Sequence, residues 1–319
     1  MKRWWKKRRA GQVESLPDWA SCFADTSELS RFESAVRDHF ALADTDALVH
    51  DGWVILAGAE GRRYGLQNLA QKCKQQPPRD WPAVIAEHFE AMFDGEARAS
   101  EGEALLEAFE TARDHLVVRL WETADLPGVM TEGVAEERIP GISCVLMLDQ
   151  DRAAMSVPAE TAAAWGVETS ALIDLAIENV MRLEGDTRPD SMAQGGNATR
   201  LMLYEGETMY GAAVALRLDG VEGMVGRHGA LVSIPTRSTV FCVPIDDEGF
   251  VEDIGPILKM TMYAENAGPG AVSAGLWWYR EGMWTELPYA VEDGTLQFTP
   301  PEEFNAMVAG LVAGLVEGG

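Results

Sequence analysis

Few side chains in this sequence are spaced for chemistry. The histidines (His39, His50, His88, His115 and His228) include no i, i+4 pair and no H-x-H, so their spacing announces no metal site. His39 and His88 stand beside Phe40 and Phe89 in helical sequence, where a half-buried imidazole is ordinary. Asp114-His115 precedes a strand, a pairing that chance readily supplies. Gly141-Ile142-Ser143-Cys144-Val145 lacks the second glycine of a nucleophile elbow. Cys144 opens an apolar run and reads as inert core. Asp246-Asp247-Glu248 and Glu252-Asp253 have the oxygen ligands of a hard-cation site without the register of a calcium loop, and read as solvated surface. The residues call for no catalytic side chain, no metal and no cofactor.

Two patterns point to binding instead. Gly223, Gly226 and Gly229 enclose Arg227 and His228, and amides pointing outward there would line an anion pocket. The run ALVSIP after them reads as a strand, not as the helix that follows a phosphate-binding loop, so a turn entering a hairpin is the competing reading. Asn197 and Arg200, beside Gly195-Gly196, are the residues that would join such a pocket. The second pattern is an aromatic hairpin holding Trp277, Trp278, Tyr279 and Trp284. Alternate strand residues face opposite ways, so Trp277 and Tyr279 share one face and Trp278 takes the other. One face fills a core and the other offers an aromatic ring to a partner; the competing reading buries both. Arg227, His228, Trp277 and Trp278 are the candidate binding residues.

The charge is divided unevenly. Residues 1–9, MKRWWKKRR, hold six of the 26 Lys+Arg and no acid, leaving 20 basic against 51 acidic side chains in the rest. A body this acidic repels phosphate-rich partners, so nucleic acid is not an expected ligand. Lys2, Arg3, Lys6, Lys7, Arg8 and Arg9 with Trp4 and Trp5 suit an anionic membrane surface, or polyanion contact in general. Indoles favour the headgroup zone, and each basic residue there contributes about 1 kcal/mol. Folding back onto the acidic body is the competing reading. AGQVESLPDW follows the arm, with none of the roughly 7–15 apolar residues of a signal peptide. No apolar run reaches the ~18 residues of a membrane span. Cys22, Cys73, Cys144 and Cys242 form no C-x-x-C pair and read as reduced, mostly buried thiols. A cytoplasmic protein is expected, and 319 residues at 47% hydrophobic leave room for two or three packed units.

The elements that would position these residues alternate between helices and hairpins. The spacing of Leu29, Phe32, Val36 and Phe40 predicts a helix over 26–42, capped by Thr26 or Ser27. Strands at 46–50 and 52–58 meet at Asp51-Gly52, a favoured hairpin dipeptide. A helical segment at 66–75 ends at Pro77-Pro78, and another covers 80–93. Residues 94–112 read as a linker or surface helix. A strand over 115–121 leads through an acidic excursion at 124–141 to ISCVLMLDQ. A helix follows from Thr169 or Ser170 to Leu183, with Leu172, Leu175, Ala176, Val180 and Leu183 on one face. The clearest hairpin is 229–245, turning at Thr236-Arg237-Ser238. A helix at 249–265, a hairpin turning at Glu281-Gly282 and a helix ending near Val316 complete the chain. These features predict an α+β fold: antiparallel hairpin sheets with flanking helices in two to three small packed units. The expected divisions are a basic arm and linker (1–25), an N-terminal unit (26–112) and a larger C-terminal region (113–319) with a sub-boundary near 184–198.

Three stretches carry a resemblance. They are DGWVILAGAEGRRYGLQNLAQKC with DWPAVIAEHFEAM; HLVVRLWETADLPGV with ISCVLMLDQ and Trp165-Gly166-Val167, Leu172, Ala176 and Asn179; and Tyr210-Gly211-Ala212 with GALVSIPTRSTVFCVPI and LWWYREGMW. In order and spacing this resembles the YtpQ-like family of uncharacterised bacterial proteins, over roughly residues 30–290. The chain departs from that pattern in the basic arm, the insert at 124–141 and the loop at 184–198. The resemblance implies a cytoplasmic α+β protein of bacterial type and supplies no catalytic residue. The expected function is therefore a non-catalytic protein-interaction or ligand-binding module with an unknown protein partner, peripheral to a membrane through its arm. The alternative is a hydrolase or transferase whose scattered site is anchored at Arg227 and His228.

Overall fold

The structure is a computed structural model describing residues 16–56, 63–97, 99–126, 132–150, 153–192, 200–267, 269–292 and 295–317. Residues 1–9 and Asn197 lie outside the described residues. The fold is α+β, and every strand pairing is antiparallel. The chain divides into two compact units, Met1–Glu90 and Ala91–Gly319. This boundary falls earlier than the one expected after residue 112. The reason is that residues 99–112 form helices whose Leu106 and Ala112 belong to the core of the second unit.

In the first unit, α1 (Thr26–Leu42) buries Leu29, Phe32, Val36 and Phe40, the stripe set by their spacing. Its cap is Asp25, one residue ahead of the expected position. The Asp25 carboxylate accepts from Ser27 N and Glu28 N, both at 2.9 Å, while Glu28 accepts from Ala24 N at 2.7 Å. Strands β1 (Ala47–His50) and β2 (Trp53–Leu56) form a hairpin in which Asp51 and Gly52 have φ of 46° and 79°. Two consecutive left-handed residues are what a tight hairpin of this hand requires. Strand β3 (Arg63–Gly65) adds to β2. Helices α2 (Gln67–Lys74) and α3 (Trp81–Ala97) flank the Pro77-Pro78 break. Trp81 Nε1 donates to Cys73 O at 2.6 Å and Gln76 O at 3.2 Å, satisfying carbonyls that the end of α2 leaves open.

The second unit begins with α4 (Ala99–Leu106) and α5 (Phe109–Ala112). Its first sheet holds β4 (Leu116–Glu122), β5 (Ala135–Ile139), β6 (Ile142–Gln150) and β7 (Ala153–Ser156). Strand β6 is central, with β4 on one side and β5 then β7 along the other. Its residues from Ile142 to Leu148 are buried without alternation, so both faces are covered. Helices α6 (Ala159–Ala164) and α7 (Thr169–Glu184) follow. Asn179 ties α7 to the start of β4, donating to Arg113 O at 2.8 Å and Leu116 O at 2.7 Å.

The second sheet contains β8 (Asp190–Ser191), β9 (Met202–Glu205), β10 (Ala230–Thr236) and β11 (Thr239–Pro244). After α8 (Ile254–Ala267) it is completed by β12 (Trp277–Arg280) and β13 (Met283–Glu286), in the order β13-β12-β10-β11-β9-β8. Alternation sorts its two faces cleanly. Val232, Ile234, Val240, Cys242, Trp277 and Tyr279 enter the core shared with α7 and the first sheet. Leu231, Phe241, Val243 and Trp278 face Ile257 and Leu258 of α8 and Phe304. Strands β14 (Tyr289–Glu292) and β15 (Thr295–Phe298) form a separate hairpin before α9 (Glu302–Glu317), which carries Phe304.

The first unit carries a pH-dependent element. His88 packs against Phe89, and its Nε2 is buried without a hydrogen-bond partner among the described residues. Burial, helped by the charge of Lys72, lowers His88 from 6.5 to about 4, and burial lowers His39 in the same direction. The unfolded chain thus takes up a proton that the folded chain refuses. The corresponding stability is fully present above pH 6.5 and is lost progressively as pH falls toward about 4. Urea denaturation across that window is expected to weaken the first unit of the wild type more steeply than that of His88→Leu. Equal pH slopes for the two proteins would contradict this assignment.

Candidate ligand-binding site

The glycine-rich segment forms a hairpin-entry turn and not an anion pocket, because its amides are already used. Gly226 N donates to Gly229 O at 3.0 Å, Gly229 N to Gly226 O at 3.1 Å, and His228 N to Ile245 O at 2.8 Å. Arg227 N donates to Asp246 Oδ1 at 2.9 Å. The glycines answer to backbone crowding. A Cβ on Gly226 would lie 2.6 Å from Ile245 O, and one on Gly229, at φ 95°, only 2.1 Å from Tyr279 O. The Arg227 side chain stays 80% exposed, and the His228 carbonyl accepts Trp278 Nε1 at 2.9 Å. Arg227 and His228 therefore belong to a hairpin-entry turn. Arg200 is paired with Asp247 at 2.6 Å.

The aromatic hairpin follows the reading in which both of its faces are buried. Trp277 and Trp278 do face opposite ways, yet each is only 2% exposed, because both sheet faces are covered. Trp277 Nε1 donates to Pro140 O at 3.0 Å, and Trp278 meets Phe304 edge-on at 5.4 Å. Neither ring is open to a partner. The thiols are equally withdrawn. Burial pushes Cys73 and Cys144 up to about 12 and raises Cys242 as well, which disfavours the nucleophilic thiolate.

A polar cluster that sequence reasoning did not single out lies elsewhere in the second unit. Alternation along β4 puts Val117, Arg119 and Trp121 on one face, shared with Val145, Met147 and Asp149 of β6. The Arg119 guanidinium lies over the Trp121 ring, 3.8 Å from its centroid. Tyr210 donates its hydroxyl to Asp149 Oδ1 at 2.7 Å. Arg237 arrives on the β10–β11 turn, where Arg237 N donates to Gly270 O at 2.9 Å and Arg237 O accepts from Ala212 N at 3.0 Å. Its side chain crosses Gly270 so closely that a Cβ there would lie 2.7 Å from Arg237 Nε.

These groups share one field. Burial, helped by the nearby charge of Arg237 and opposed by Tyr210, lowers Arg119 to about 10. Burial also lowers Arg237. Burial raises Tyr210, the hydrogen bond and charge of Asp149 add to the rise, and the two arginines oppose it. Both guanidiniums keep their charge at neutral pH. Arg119 Nε is buried without an acceptor, and among the described residues neither guanidinium forms an ion pair. One signal of the cluster was available in the sequence: Arg119 is a lone cation inside the apolar run HLVVRLW.

Glu184, the last residue of α7, positions much of this cluster. It is 4% exposed and accepts Tyr204 Oη at 3.1 Å, Glu207 N at 2.8 Å, Thr208 N at 3.1 Å and Thr208 Oγ1 at 2.5 Å. The turn it grips approaches itself so closely that a Cβ on Gly206 would sit 2.6 Å from Gly211 Cα. From that turn, Gly206 N donates to Ser238 O at 2.8 Å, beside Arg237. Glu184 also borders a cleft of about 740 Å³ with Glu178, Asp186, Tyr204, Arg217 and Glu222. There its carboxylate is already saturated, whereas Arg119 Nε in the arginine cluster has no acceptor.

Comparison of the chain with protein-family models, with curated proteins and with solved structures finds no match.

Proposed function

We propose that the protein is a non-catalytic ligand-binding module whose site is the Arg119–Arg237 cluster, where an anionic group lies between the two guanidiniums. The observation that carries this reading is a pair of mutually repelling cations, Arg119 on the first sheet and Arg237 on the β10–β11 turn, with no carboxylate bound to either among the described residues. An orphaned buried donor such as Arg119 Nε costs on the order of 1–3 kcal/mol, and an anionic oxygen would relieve it. Stacking on Trp121 holds the Arg119 fork in one plane, which suits planar or bidentate acceptors. The raised thiols, and a tyrosine kept protonated by burial and by its bond to Asp149, favour binding over the hydrolase or transferase alternative.

Isothermal titration with inorganic phosphate and with glutarate tests this reading. Binding is expected in the wild type and at least tenfold weaker in Arg119→Gln and in Arg237→Gln, each checked for folding by circular dichroism. Absence of binding by both probes, or equal binding by the variants, would overturn it.

Kinship with the YtpQ-like proteins, a cytoplasmic location and a protein partner remain proposals that rest on sequence. Peripheral membrane contact through residues 1–9 has the same standing. Flotation with anionic liposomes is expected to fail when residues 1–9 are removed, and unchanged flotation would remove the arm from the account.

A further inference from the structure

We infer that the ligand of this cluster is an acidic α-amino acid. Its two carboxylates meet Arg119 and Arg237, and its ammonium meets Asp149. The inference rests on the binding function proposed above and adds the class of ligand.

The charged groups of the cluster are two guanidiniums, one from β4 and one from the β10–β11 turn, and one carboxylate from β6. Had Asp149 served to neutralise the arginines, the bidentate fork usual for such pairs would be present. Instead Asp149 takes the Tyr210 hydroxyl at 2.7 Å, and among the described residues its side chain makes no other bond. A carboxylate has about four lone-pair sites, so most of its accepting capacity is free. Tyr210 fixes its orientation, while Ala212 N, two residues on, donates to Arg237 O.

A bare dianion would satisfy the guanidiniums and bring like charge up to Asp149, an unfavourable approach. A ligand that also carries an ammonium turns that repulsion into a charge-assisted hydrogen bond. Two carboxylates and one ammonium match the cluster group for group, with opposite sign at each position.

L-Glutamate and glutarate differ only in the α-ammonium and form the direct test, read by isothermal titration at one salt concentration. In the wild type L-glutamate is expected to bind about tenfold more tightly than glutarate. Asp149→Asn, whose side-chain oxygen still accepts from Tyr210, is expected to erase that difference, with glutarate binding at least as tightly as to the wild type because the like charge is gone. Glutarate binding as tightly as L-glutamate, or a difference that survives Asp149→Asn, overturns this inference and leaves the anion site standing. Failure of glutarate, L-glutamate and phosphate alike overturns both.

Discussion

The second unit depends on one buried carboxylate. Glu184 closes α7 with a charge that water does not reach, and four donors from residues 204–208 surround it. A buried charge survives only when its hydrogen bonds are complete, and here they are completed by one short turn. That requirement fixes the turn. Thr208 Oγ1, bonded to the carboxylate, also accepts Tyr210 N at 3.1 Å, so the same contact sets where Tyr210 leaves the turn. Gly206 and Ala212, on either side, hold Ser238 O and Arg237 O of the β10–β11 hairpin. Tyr210 and Arg237 are thus placed by a chain of bonds that begins at Glu184.

Charged groups withdrawn from water in this unit reach opposite solutions. The Glu184 carboxylate is saturated by the protein and behaves as architecture. The guanidiniums of Arg119 and Arg237 are withdrawn from water beside each other, and their described neighbours supply a ring face, a glycine and a tyrosine in place of a counter-ion. Keeping such cations in place costs free energy that the apolar packing of β4 and β6 must offset. An interior tuned for stability alone would use apolar side chains here. This contrast locates function in the cluster and structure in the cradle.

Local patterns were legible in the sequence. The α1 stripe, the Asp51-Gly52 turn, the 229–245 hairpin and the opposite orientations of Trp277 and Trp278 all follow from short-range periodicity and turn chemistry. What escaped depends on distant partners. Glu184 reads as an ordinary surface acid at a helix end until residues about twenty positions onward fold over it. Asp149 and Tyr210 are 61 residues apart, and nothing local pairs them. Which reading of the tryptophan hairpin holds depends on a distant partner as well, since the ring covering Trp278 is Phe304 of the closing helix. The glycine-rich segment misleads because spacing does not reveal which way amides point.

The central claim, that Glu184 organises the turn presenting Tyr210 and the hairpin presenting Arg237, is tested most directly by amide hydrogen exchange in Glu184→Gln. Glutamine sets an NH2 donor among groups that are all donors. Faster exchange is predicted for residues 206–212 and 236–238 together, with β4, β6 and the middle of α7 keeping their wild-type protection. Unchanged exchange in those two segments, or a uniform increase across the whole unit, would contradict it.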